Sequence, residues 1–423
     1  HMAYDTPATI AILGAGPIGL ETALYARFLG YEVRLFERGR VAESVRRWGH
    51  VTLFTPFRMN RSPLALSALR AQDAHWQPPD DDAMLTGNAY AEHFLQPLAA
   101  CDLLADTLLL ETEVLSIGRA ESLKGDQVGE AGRRDHPFRI LTRNRSQGED
   151  IHTADIVIDC TGAYGNHNWL GQGGIPAIGE RSAEASVEYG LPDVLNTERE
   201  RYAGHSVLVV GSGHSAATTV VALAQLAAES MGTHLEWITR RPAEADREGP
   251  VRRFVEDPLP ARDRLAHRAN QLASREHDGP VHHRAGTWIE RIEWGGDRRR
   301  HRVHLTGRHD DVLEVDRVVA QVGYRPNRGL YSELQLHECF ATEAPFEAAA
   351  ALPRNPSVDG WKQTYGGPAT LLNPEPDFYV LGAKSHGRNS SFLISTGLEQ
   401  VRDLFTIIGD RVNLDLYDNA LPD

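Results

Sequence analysis

Apolar positions along the chain fall into two rhythms, unbroken or alternating runs of strand type and helical spacings of three and four, and their order occurs twice. From Ala8 to Leu13 the residues are apolar and often β-branched, as in a strand buried on both faces of a parallel sheet. Helical spacing follows through LETALYARFLG, where Gly30 is a stop, and EVRLFE, ending at Glu37, is a second strand. Near mid-chain, SVLVVGSGHSAATTVVALAQLA predicts strand, glycine turn and helix again, and HLEWITRRP the strand after them.

Each helix-bearing stretch is followed by alternating ones. LLLETEVLSI and PFRILTRN lie within 108–158, separated by polar turns and closing on ADIVIDCTGAYG; TWIERIEW, HRVHLTG and VLEVDRVVAQVGYRPN fill 287–324. Each half is thus a βαβ unit, a meander and a last strand running into a glycine-containing turn, Thr161-Gly162 or Val322-Gly323. That is an internal duplication at domain scale. The expected fold class is α/β: two Rossmann-like, three-layer dinucleotide-binding domains, each with an inserted β-meander. Boundaries are expected at 1–200 and 201–326, with 327–423 returning to the first domain. GDRRRHR at 296–302 reads as a solvated hairpin and PPDDDA at 78–83 as a loop.

Composition narrows the function classes. With 423 residues, 41% of them hydrophobic and 24% charged, the chain can bury two ordinary cores. Its net charge of −14 argues against a nucleic-acid surface, which needs a basic face. No run approaches the roughly 20 apolar residues of a membrane span, and no basic-then-apolar leader opens the chain, so a cytoplasmic protein is expected. The three cysteines, Cys101, Cys160 and Cys339, are far apart. They supply neither an adjacent redox dithiol nor a cysteine zinc cluster, and no metal is expected.

The glycine turns carry the chemistry. In Gly14-Ala15-Gly16-Pro17-Ile18-Gly19, the first glycine permits the tight turn, the second lets a pyrophosphate approach the backbone, and the third lets helix and strand pack closely. The helix N-terminus then faces the phosphates. Glu37, eighteen residues beyond Gly19, suits a ribose diol. The second turn, Gly211-Ser212-Gly213-His214-Ser215-Ala216, has a small residue in the third place. Its next strand ends in Arg240 and Arg241, where an acid would repel a 2′-phosphate and paired guanidiniums would bind one. The second site therefore reads as NADPH and the first as an unphosphorylated nucleotide; the alternative for the arginines is a solvated strand end.

Two such fingerprints in tandem, the first half ending in DCTG and the second in AQVGYRPN, resemble the two-domain flavoproteins that bind FAD and a nicotinamide nucleotide. The resemblance spans essentially the whole chain. It implies FAD on Gly14, Gly16, Gly19 and Glu37, and NADPH on Gly211, Gly213, Arg240 and Arg241. Pro17, Arg38, Thr161, Gly162, Ser212, His214, Ser215, Gly382, Ser391 and Leu393 complete the expected cofactor contacts. Disulfide reductases of that superfamily carry a cysteine pair beside the flavin and a late Gly-Asp, which here is Gly382-Ala383.

RRWGHVTLFTPFRMNRSP, 46–63, resembles flavin-containing monooxygenases, and FYVLGAKSHGRNSSFLISTGLEQVRDLF, 378–405, resembles N-hydroxylating monooxygenases. On that match Trp48 contacts FAD, and Asn60 would hydrogen-bond the oxygenated flavin. The FxGxxxH string those families place before the second fingerprint is replaced by LPDVLNTERERYAGHS. For Asn60 the residues themselves favour a turn cap before Ser62-Pro63, and it is the family match that points to the flavin. A C-terminal helix is expected from Ser390 or Ser391, serine-capped, its positive end toward AKSHGRN. His50, His386, Arg58 and Arg388 are candidates for substrate, phosphate or cofactor contacts, and Cys160 for buried packing.

The expectation is a monooxygenase that uses FAD and NADPH to pass one oxygen atom, through a flavin C4a-hydroperoxide, to a small nitrogen or sulfur nucleophile. Its partners would be that small molecule and dioxygen, and a homodimer is expected. The alternative is a flavoprotein reductase or dehydrogenase that hands electrons to a small or protein acceptor.

Overall fold

The computed structural model describes residues 7–241, 249–254, 256–274, 279–295, 299–351 and 365–418. The chain divides into two compact units, His1–Asn166 with Arg325–Asp423, and His167–Tyr324. The second unit therefore begins ahead of the 201 expected. The intervening chain belongs there because its backbone pairs within it: Ile178 N–H donates to the Glu290 carbonyl and Glu188 N–H to that of Val318.

In the first unit the strands are β1 (Thr9–Leu13), β2 (Glu32–Phe36), β3 (Leu108–Leu109), β4 (Thr112–Arg119), β5 (Phe138–Asn144), β6 (Gly148–Ala154) and β7 (Ile156–Asp159), with a C-terminal strand at Phe378–Val380. The parallel sheet runs C-terminal strand, β7, β1, β2, β3, and β4, β5 and β6 form an antiparallel meander. Alternation along β1 sorts the layers. Ile10 and Ile12 join the core beneath helix α1 (Pro17–Phe28), α2 (Pro63–Gln72) and the C-terminal helix (Ile394–Ile408). Ala11 and Leu13 join the core beneath the meander, with Val114, Ile117, Phe138 and Ile140. Three layers result, as the sequence pattern predicts.

The second unit repeats this with β8 (Ser206–Val210), β9 (His234–Thr239), β10 (Val281–Ala285), the meander β11 (Thr287–Gly295), β12 (Arg300–Gly307) and β13 (Val312–Val315), and β14 (Arg317–Ala320). Its parallel sheet runs β10, β9, β8, β14. Val207 and Val209 face the helices α3 (His214–Glu229) and α4 (Pro260–Ser274), and Leu208 and Val210 face the meander. The duplication reaches single hydrogen bonds. Asp155, just before β7, accepts the Thr9 N–H at 2.8 Å, and Asp316, just before β14, accepts the Ser206 N–H at 2.8 Å. Both meanders also shift register in their first strand, between Val114 and Ser116 and between Ile289 and Arg291.

Local departures from expectation have local causes. The C-terminal helix starts at Ile394, with Leu393 as a cap that makes no side-chain hydrogen bond, rather than at Ser390 or Ser391. Asn389 Oδ1 takes the Ser391 N–H at 2.9 Å, which fixes a turn where the helix would have begun. The acidic stretch 78–83 is a loop as expected, but a paired one: Asp81 binds Arg61, and Asp82 binds Arg58. Residues 296–298 of the basic hairpin lie outside the described residues; β11 and β12 pair on either side of them.

Candidate active site

The parallel register of the first sheet brings its strand ends level: Leu13 lies beside Phe36 and Asp159, and Asp159 beside Val380. One carboxyl edge therefore presents Gly14, Glu37, Cys160 and Leu381. That edge is where open α/β sheets bind ligands. Gly14 has φ +94°, and a Cβ there would lie 2.9 Å from the Cys160 carbonyl oxygen. A Cβ on Gly19 would overlap the Gly14 carbonyl oxygen, whereas one on Gly16 would meet nothing within 4 Å. Close approach by a ligand is thus sterically possible at the middle glycine alone of the three. Gly16 caps α1 with no capping side chain, Pro17 follows, and no acid occupies the first turn, so the helix N–H groups are available to an anion.

Glu37 is buried at the end of β2 and accepts the N–H of Ala15 at 2.9 Å and of Gly39 at 2.8 Å. Each oxygen of the carboxylate expected at a ribose diol thus already takes a backbone N–H, one of them from the glycine loop. Arg38 is exposed, and a Cβ on Gly165 would lie 3.5 Å from its guanidinium. Thr161 and Gly162 follow β7 as expected. Gly162, at φ +67°, has open space where a side chain would be.

The second unit presents the same edge. Val210 lies beside Ile238 and Ala320. Gly211, at φ +131°, has no room for a Cβ against the Gln321 carbonyl; Gly213 has nothing within 4 Å and caps α3 without a capping side chain. Ser212 lies in the turn, His214 and Ser215 open α3, and buried Ala216 packs where a third glycine would stand. Arg240 and Arg241 are exposed directly after β9, and neither forms an ion pair among the described residues. Sequence reasoning missed Trp237, which is fully buried and donates its indole N–H to the Gly211 carbonyl at 2.8 Å, fixing the turn.

Asn60 is buried, but its side chain turns toward its own loop. Oδ1 accepts the Thr55 hydroxyl at 2.9 Å, Nδ2 donates to the carbonyls of Thr55 and Pro56, and the Tyr90 hydroxyl donates to the Asn60 carbonyl at 2.6 Å. These bonds close the 55–60 turn on which Asn60 sits, and the helix that follows is capped instead by Ser62. Trp48 is half-buried against the first core, and Gly87 packs beneath its ring so tightly that a Cβ would come within 2.7 Å. His50 is half-buried. Arg58 is committed to Asp82. Arg388 is exposed, and its N–H donates to the Thr342 carbonyl at 2.8 Å.

One feature of this edge escaped sequence reasoning altogether. Lys384, 1% exposed, places Nζ 2.6 Å from Oδ2 of Asp159, which is 0% exposed. Oδ1 of Asp159 takes both the N–H and the hydroxyl of Thr161, and Lys384 also donates to that hydroxyl at 3.1 Å. A signal existed: each of the apolar strands IVID and FYVLGAK ends with one charge, and the two charges are opposite. The turn that follows, Gly382–His386, is pinned to the C-terminal helix by Gln400, whose Oε1 accepts the Gly382 N–H at 2.9 Å.

The three cysteines are free and unpaired with one another. Cys160 alone lies on this edge, beside the Thr22 hydroxyl at 3.8 Å, and burial pushes its thiol well above the usual range. It remains protonated and is a poor nucleophile. Among the described residues no helix is long and apolar enough to cross a membrane.

Comparison with known proteins agrees with this architecture. The family model of the pyridine nucleotide-disulphide oxidoreductases matches residues 11–345. The chain belongs to that family. It is accordingly an oxidoreductase, and the two cofactors expected from its fingerprints accord with the family. No curated protein matches this oxidoreductase in sequence. Among solved structures, the bacillithiol disulfide reductase Bdr (YpdA) from Bacillus cereus superposes with a TM-score of 0.66 at 16% identity, covering 96% of this chain and 100% of that one. The cadaverine monooxygenase DfoA from Erwinia amylovora gives 0.62 at 16%, covering 96% and 95%. The ornithine hydroxylase PvdA from Pseudomonas aeruginosa gives 0.58 at 16%, covering 96% and 99%. These likenesses are of fold, and they include reductases as well as monooxygenases.

Proposed function

We propose that this oxidoreductase is an FAD-dependent, NADPH-using monooxygenase that transfers one atom of dioxygen to a small nitrogen- or sulfur-centred nucleophile. FAD would lie along Gly14, Gly16, Pro17 and Gly19, with Thr161, Gly162 and Gly382 at the same edge. NADPH would lie along Gly211, Ser212, Gly213, His214 and Ser215, with Arg240 and Arg241 on its 2′-phosphate. The open space at Gly16 and Gly213, each flanked by a glycine that admits no side chain, supports a diphosphate at both sites. When bound, the flavin supplies the redox chemistry; the protein supplies position, electrostatics and exclusion of water.

The observation that carries the oxygenase reading is the cysteine geometry. A disulfide reductase relays electrons from flavin to sulfur, and here the single cysteine of the flavin edge is a half-buried thiol, raised above the usual range by desolvation and without a partner cysteine. Electrons must then leave the flavin directly. The cadaverine and ornithine hydroxylases among the structural neighbours make amines the first substrates to try.

A second reading, a reductase that passes electrons to a small or protein acceptor, is favoured by the inward-turned amide of Asn60. One experiment separates them. The NADPH-reduced protein is mixed with oxygenated buffer and a panel of amines and thioethers, and oxygen consumed is compared with peroxide released. The oxygenase reading requires a compound that suppresses peroxide and acquires label from labelled dioxygen. Stoichiometric peroxide throughout, with rapid reduction of a quinone, would establish the reductase.

A further inference from the structure

The turn Gly382–His386 carries a chain of hydrogen bonds whose directions are all forced. It starts at a backbone N–H, which can only donate: Gly382 N–H reaches Oε1 of Gln400 at 2.9 Å. That fixes the amide orientation, so Gln400 Nε2 is the donor to Ser385 Oγ at 2.8 Å. The Ser385 hydroxyl in turn lies 2.7 Å from the Gly382 carbonyl oxygen, which can only accept, and this consumes the single serine proton. Nδ1 of His386, 3.2 Å from the same Oγ, must therefore carry a hydrogen and donate it.

The consequence is at the other nitrogen. A neutral imidazole protonated on Nδ1 presents a bare lone pair at Nε2. His386 is 8% exposed, its ring is met edge-on by Phe392 with centroids 5.2 Å apart, and no other hydrogen bond reaches it among the described residues. Burial alone pushes the ring down to about 4, so it stays neutral through the physiological range. The turn lies on the carboxyl edge: Lys384 binds Asp159 and Thr161, and the space beside Gly382 is bounded by Ile18 of the first turn of α1.

We propose that His386 is a cofactor-contacting residue of the FAD site, its unprotonated Nε2 accepting a hydrogen bond from an N–H or O–H of the flavin half, with Ser385 and Gln400 as positioning residues that fix the tautomer. This rests on the reading of the first unit as the FAD site. It gives that site a neutral acceptor which cannot pass a proton to the cofactor.

The test is long-range proton–nitrogen correlation on histidine-labelled protein, flavin-free and then saturated with FAD, riboflavin or ADP. In the flavin-free protein His386 should show the Nδ1–H tautomer. FAD and riboflavin should move the Nε2 resonance while Nδ1 holds, and ADP, which lacks the flavin half, should leave both in place. His386→Leu should weaken FAD binding about tenfold, the loss of one buried hydrogen bond, and His386→Gln, whose amide oxygen reaches the Nε2 position, should recover most of it. Ser385→Ala, which removes the acceptor of the Nδ1 proton, should populate the other tautomer without removing the ring. An Nε2–H tautomer in the flavin-free protein, or an Nε2 signal unmoved by bound FAD, overturns the proposal while leaving the FAD site standing. A wild-type chain that binds no FAD overturns both.

Discussion

Lys384 and Asp159, 225 residues apart in sequence, form a buried ion pair of 2.6 Å that joins the turn after the C-terminal strand to the end of β7, its neighbour in the sheet. Removing one partner leaves the other charged in an apolar setting, the costly way to break such a pair. Lys384→Met should lower stability by about 3 kcal/mol, measured by denaturant unfolding. Adding Asp159→Asn should restore a large part of it, because the uncompensated charge is then gone. A double variant no more stable than Lys384→Met alone would show that the pair's role is hydrogen bonding to Thr161 and not charge balance.

Glu21 sits on α1, 2% exposed. Burial is the largest influence on its carboxyl and raises it to about 7, against which contacts with Ser62 and Tyr417 act. The unfolded chain releases this proton near 4.5, so between about 4.5 and 7 the folded state holds the extra proton. Stability from this group is therefore complete below 4.5 and is lost as pH rises through 7. Glu21→Gln should remove that slope and make the protein more stable than wild type at pH 8, by up to about 3 kcal/mol. Parallel stability curves for the two proteins between pH 5 and 8 would contradict it.

The layers of this fold were legible because each strand writes its two faces in alternate residues. Ile10 and Ile12 against Ala11 and Leu13, repeated by Val207 and Val209 against Leu208 and Val210, are enough to place helices on one side and a meander on the other. The glycine fingerprints were legible for a related reason: a missing side chain is itself the steric information. What the sequence hid are contacts over long separations. Lys384 with Asp159, Gln400 with Gly382, and Trp237 with Gly211 exist only once the sheets close. Asn60 was ambiguous because an amide that holds a turn and one that serves a cofactor are written identically, and its bonds to Thr55 and Pro56 form only once the loop folds back on it. The start of the C-terminal helix was missed because Asn389 competes for the Ser391 N–H.

The three glycines of the first turn should separate by function. Gly19→Ala forces a Cβ into the Gly14 carbonyl and should destabilise the unit by about 2 kcal/mol, with FAD content falling as a consequence. Gly16→Val meets no protein atom within 4 Å at Cβ, so thermal unfolding of the flavin-free protein should be near wild type while FAD affinity falls at least tenfold. Equal losses of flavin-free stability in both variants would mean that Gly16 is needed by the fold, and the argument for a diphosphate at that position would lose its steric basis.

Arg240 and Arg241 bear on the choice of nicotinamide nucleotide. Both are exposed after β9 and unpaired among the described residues, so removing them strands no buried charge and should leave stability within about 0.5 kcal/mol. Two charge-assisted contacts to a 2′-phosphate are worth enough that the double variant Arg240→Ala, Arg241→Ala should raise KM for NADPH by about tenfold to a hundredfold. KM for NADH, which has a hydroxyl there, should hardly move. Flavin reduction followed by loss of the visible flavin absorbance with each nucleotide gives both values from one preparation. If the two nucleotides weaken together, the guanidiniums contact something common to both, and the preference for NADPH must be sought elsewhere in the second unit. If neither changes, the arginines are the solvated strand end that the sequence also allowed.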